Sequence, residues 1–102
     1  MIATITILSG QQNSQPIHVG LPGDAAISLS IQPPAGLVET ITLQGSIRGT
    51  VFVPVQRPDG TDYQVPADKL TVVDRTGARY FLVSADIAVA ADRVFDLDLS
   101  RA

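Results

Sequence analysis

Residues 39–55 read Glu-Thr-Ile-Thr-Leu-Gln-Gly-Ser-Ile-Arg-Gly-Thr-Val-Phe-Val-Pro-Val. In the first half, Ile41, Leu43 and Gly45 alternate with Thr40, Thr42 and Gln44. Successive side chains of a strand point to opposite faces, so this alternation predicts a half-buried strand over Glu39–Ile47. Arg48-Gly49-Thr50 then reads as a hairpin turn, with glycine supplying the positive φ that such turns need. Val51–Gln56 is the return strand. Pro54 lies inside it and marks an edge or a bulge, because proline brings no N–H to a ladder.

The same period extends outward in both directions. Ala3, Ile5 and Ile7 alternate with Thr4 and Thr6, and Ile27, Leu29 and Ile31 with Ser28, Ser30 and Gln32. Near the other end Phe95, Leu97 and Leu99 face inward, with Asp96 and Asp98 outward. Ile17–Val19, Tyr63–Val65, Leu70–Val73 and Ala78–Ala85 are further strand segments. Turn signals separate them: Gly10–Pro16, Gly20–Asp24, Pro33–Gly36, Arg57–Thr61 and Asp74–Gly77. Pro66–Lys69 could form a single helical or 3₁₀ turn. The alanines of Ala85–Ala91 permit another, although so short a helix needs packing to hold it. Short strands at intervals of about 8–12 residues predict an all-β chain. The expectation is a single antiparallel β-sandwich or jelly roll of about eight short strands, spanning residues 1–102 as one domain.

Charge narrows the function classes. The 102 residues carry a net charge of −3, with no cysteine, no tryptophan and one histidine. Neither a disulfide framework nor a thiolate metal site can be built. The basic stripe that nucleic-acid binding needs is missing, so no nucleic-acid partner is expected. No apolar run approaches the roughly 20 residues of a membrane span, and Met1–Ile7 lacks the basic start of a signal peptide. Neither a membrane partner nor export is expected. The charges are also unevenly spread. Before Arg48 only Asp24 and Glu39 are charged, and the other fifteen charged residues follow. Interface cores are depleted in charge, so the first half is expected to be the side that meets a partner.

Catalytic chemistry finds little support. His18 is the lone imidazole, with no nucleophile set beside it by sequence. Gly45-Ser46 lacks the Gly-x-Ser-x-Gly elbow. Asp96 and Asp98 share a strand face with Asp92 nearby, a set that three carboxylates around calcium would resemble. No ligand loop accompanies them, and a solvated face explains them as well. Asp59 and Asp62 flank a turn whose geometry accounts for both. The expectation is a chain that is not an enzyme and has no cofactor.

Two stretches carry a resemblance. Ile41–Val55, and Gly77-Ala-Arg-Tyr-Phe-Leu-Val83, resemble segments of discoidin-like (galactose-binding-like) jelly rolls. With Asp59-Gly60-Thr61 and Val65-Pro66 between them, they are also similar to small β-sandwich virion proteins of tailed bacteriophages. The sugar-binding members have loop tryptophans that this chain lacks. The phage resemblance implies a structural protein of the virion: a capsid decoration (cement) protein, or a tail or neck accessory or host-glycan-binding module. Its partners would be the major capsid protein or other virion proteins, and the chain itself would form a homo-oligomer. The candidate interface residues are Thr4, Thr6, Gln11, Gln12, Asn13, Ser28, Ser30, Arg57 and Tyr63.

Overall fold

The computed structural model describes residues 2–19, 27–76 and 78–101. The turn read at Gly20–Asp24 falls outside them. Eight strands form among the described residues: β1 (Ile2–Ile7), β2 (Ile17–His18), β3 (Ile27–Gln32), β4 (Ile41–Ser46), β5 (Val53–Pro54), β6 (Thr71–Thr76), β7 (Tyr80–Ala85) and β8 (Arg93–Arg101). They build two four-stranded sheets, β1-β8-β3-β6 (sheet I) and β2-β7-β4-β5 (sheet II), and every pairing is antiparallel. The pairs 1·8, 2·7, 3·6 and 4·5 are the rungs of one long hairpin bent at the β4–β5 connection. Wrapping that hairpin sends alternate rungs to alternate sheets, which is the jelly-roll topology.

Alternation positions the core as the sequence implies. Ile5 and Ile7 of β1, Ile27, Leu29 and Ile31 of β3, and Phe95, Leu97 and Leu99 of β8 are buried on the inner face of sheet I. Ile41 and Leu43 of β4 with Phe81 and Val83 of β7 face them from sheet II. Gly45 lies among them because a Cβ there would sit 3.0 Å from the Val55 side chain and 3.2 Å from Ala78.

Several local expectations need correcting. The return strand at Val51–Gln56 shrinks to Val53–Pro54. Pro54 cannot donate, and the chain turns again at Arg57–Thr61, where Arg57 N–H reaches Thr61 O at 2.6 Å. Residues 63–65 then take over the edge beside β4: Leu43 N–H donates to Tyr63 O and Val65 N–H to Ile41 O. No helical turn forms at Ala85–Ala91, because its amides are used across loops. Asp86 N–H donates to Thr40 O and Val89 N–H to Gln11 O. Nor does Pro66–Lys69 make one; Asp68 has φ 62°. β6 runs on to Thr76, through the turn read at Asp74. It absorbs one extra residue as a bulge opposite Ser28, with Ile27 facing Thr76 and Leu29 facing Val73.

The largest correction concerns the uncharged half. Because rungs alternate, its four strands divide equally between the two sheets. They do not form one side of the molecule.

Candidate functional site

The outer face of sheet I gathers four of the predicted interface residues. Thr4 and Thr6 lie on β1, and Ser28 and Ser30 on β3. Between these strands runs β8, which faces Thr4 with Asp96 and Ser30 with Asp98. The neutral strands therefore flank a negative stripe, and the face as a whole is not neutral. Among the described residues no group of three or more His, Asp or Glu side chains converges as a metal site. Asp92 precedes β8 and accepts the Ser9 N–H at 2.8 Å.

Gln11, Gln12 and Asn13 sit elsewhere, on the β1–β2 connection beside β7, and they are engaged there. Gln12 accepts the Ala85 N–H, and its side-chain amide donates to Asp86 O at 3.1 Å. Asn13 Oδ1 accepts from Ser84 Oγ at 2.7 Å. The Gln11 carbonyl accepts the Val89 N–H. These contacts tie the β1–β2 connection to the β7–β8 loop.

Arg57 and Tyr63 do come together. The guanidinium carbon lies 4.9 Å from the centre of the Tyr63 ring, the distance of a cation–π contact. Between them the turn is closed by Asp59, which accepts the Thr61 hydroxyl at 2.6 Å and the Thr61 N–H at 3.0 Å. These hydrogen bonds hold the Asp59 carboxyl below its ordinary 3.8, and Arg57 adds to the effect. The turn thus gains stability from the ionised carboxylate above pH 3.8 and loses it as pH falls through the lowered value. An NMR pH titration should therefore place the Asp59 midpoint below 3.8. In Thr61→Val the midpoint should move up toward 3.8.

His18 pairs across the ladder with Tyr80, and their rings lie 4.7 Å apart at 38°. Gly49 packs beneath Tyr80: its φ is +83°, and a Cβ would meet the ring at 3.1 Å. Its N–H caps Ser46 Oγ at 2.8 Å. The imidazole is thereby a stacking partner on the outside of sheet II.

Sequence reasoning missed a cluster of exposed aliphatic side chains. The β4–β5 connection carries Ile47, Val51 and Val53 at 75, 72 and 58% exposure. With Pro54, Val55 and Ala78 they line an open concavity of about 850 Å³. In sequence these aliphatics look like ordinary strand residues. The available signal was a run from Val51 to Val55 with no polar alternation, at a position that Pro54 already marked as an edge.

No protein-family model matches the chain, and no curated protein matches it. Solved structures do. The SPBc2 prophage-derived protein YomS superposes with a TM-score of 0.64 at 9% identity, covering 98% of this chain and 94% of that one. The Yersinia pseudotuberculosis-derived mitogen superposes with a TM-score of 0.52 at 16% identity, covering 100% and 86%. At these identities the likeness is one of fold: the chain is an all-β sandwich of a kind found in a prophage-derived protein and in a bacterial mitogen.

Proposed function

We propose that the chain is a non-enzymatic structural protein of a phage virion. In this reading it is a capsid decoration (cement) protein that reinforces the shell, forms a homo-oligomer, and needs neither nucleic acid nor membrane. The observation that carries the reading is the aliphatic β4–β5 hairpin. Three large side chains more than half exposed within seven residues form the kind of patch that marks a protein–protein contact. Jelly rolls are a common building block of viral shells, and the prophage-derived neighbour adds support by analogy of fold. A host-glycan-binding role is less well supported, because Arg57 already covers one face of the Tyr63 ring. A tail or neck accessory would use the same hairpin, and immunogold labelling of particles separates the two locations.

The test is a double variant, Ile47→Asp/Val51→Asp. Both side chains are exposed, so folding should change by no more than about 0.5 kcal/mol per site. Binding to purified particles should weaken at least about 30-fold, as for the loss of a contact hot spot of about 2 kcal/mol. Unchanged binding would remove the hairpin from the interface.

A further inference from the structure

A jelly roll has four sheet edges, and here they differ. Exposed strand edges invite pairing with other chains, and proteins blunt them with short strands, proline, charge or bulges. On sheet II, β2 and β5 are two residues each, and Pro16 and Pro54 interrupt their edges. On sheet I, β6 is broken by a bulge opposite Ser28. β1 has none of these protections. Its six residues, Ile-Ala-Thr-Ile-Thr-Ile, include no charge, proline or glycine and are mostly β-branched. Among the described residues only β8 pairs with it, and none of them pairs with its other edge.

We propose that this edge pairs antiparallel with β1 of a second copy, joining two copies of sheet I into one continuous eight-stranded sheet. The proposal names the subunit contact of the homo-oligomer above, and it stands whatever larger particle the chain joins. A two-fold axis normal to the sheet must bring outer face to outer face. Directly opposed residues then have the same parity. Either Thr4 faces Thr4 of the second copy and Ile2 faces Thr6, or Thr4 faces Thr6 and Ile5 faces itself. Both registers place uncharged threonines opposite one another on the outer face, where like charges would repel. The nearest charges on that face are Asp96 and Asp98 on β8, one strand further in. Across the axis, the two β8 strands are three strand spacings apart, about 14 Å. That exceeds the Debye length of about 8 Å at physiological salt. Association also stops at two copies, because the outer edges of the joined sheet are both β6, with its bulge. The contact is isologous and closed.

Sedimentation of the purified chain from roughly 10 to 500 µM tests the pairing, the range suited to an interface at the small end of the size scale. The expected result is a monomer–dimer equilibrium. Thr4→Lys/Thr6→Lys should remain monomeric throughout, with the parent's melting temperature at concentrations where the parent is itself monomeric. Val72→Lys, on the outer face of the β6 edge, should dimerise like the parent, as should Ile47→Asp/Val51→Asp. Because the chain has no cysteine, single-cysteine variants report the contact directly. Opposed residues lie about 4.5–5.5 Å apart, within disulfide reach. Thr4→Cys should oxidise to a covalent dimer alone or when mixed with Thr6→Cys, and Val72→Cys should not. A monomer at every concentration, a dimer that survives the lysines, or an open-ended polymer would overturn the proposal. Loss of particle binding with the dimer intact would count against the virion reading alone.

Discussion

Replacing Glu39 with glutamine should destabilise the protein by about 3–5 kcal/mol, the cost of removing one partner of a buried ion pair. Glu39 is the only glutamate of the chain. Its side chain is 3% exposed, and Arg93 grips it in a fork, Nε to Oε1 at 2.9 Å and Nη2 to Oε2 at 3.2 Å. Glu39 enters β4 of sheet II and Arg93 opens β8 of sheet I, so the pair fastens the two sheets at one end. Next to it Thr40 N–H donates to Asp86 Oδ1 at 3.0 Å. Glutamine keeps the shape and leaves the guanidinium without its counter-charge. Urea denaturation should show the loss, and the melting temperature should fall by at least about 12 °C for a domain of this size. Replacing both residues, Glu39→Leu/Arg93→Leu, should recover much of it, because no charge is then left buried. A loss under about 1 kcal/mol for Glu39→Gln would mean that the pair behaves as an exposed one.

Phe95→Ala is the second large effect. Phe95 is fully buried, on the strand flanked by β1 and β3, directly across from Ile5. Its truncation should cost about 3–5 kcal/mol through lost transfer energy and the cavity left behind. The neighbouring Val94 points to the outer face and is 45% exposed. Val94→Ala should cost no more than about 0.5 kcal/mol. Chemical denaturation of the two variants side by side reads the strand's period directly. Similar losses at both positions would contradict the placement of β8.

The strands that bury one face were legible in the sequence. β3 and β8 follow their alternation residue by residue, and β4 is shorter than expected only by Glu39, Thr40 and Ile47. Local patterns carry that information because the side-chain period is a property of the strand itself. What depends on distant pairing was not legible. Glu39 and Arg93 lie 54 residues apart, and nothing local marks either as a partner. Val51 and Ile47 have core-like side chains, but they fall on the β4–β5 connection, outside both strands, and are exposed there. The scarcity of charge before Arg48 suggested one binding side, but wrapping the hairpin divides that half between both sheets. Thr4, Thr6, Ser28 and Ser30 share a face because β1 and β3 flank β8 in one sheet. The amides of Gln12 and Asn13 are instead used in holding loops together.

The virion reading is tested most directly by the protein content of purified phage particles from the strain that encodes this chain. Quantitative mass spectrometry of density-banded particles should find the chain at a fixed, many-fold copy number relative to the major capsid protein. Finding it only in the soluble lysate, while banded particles contain none, would contradict the account.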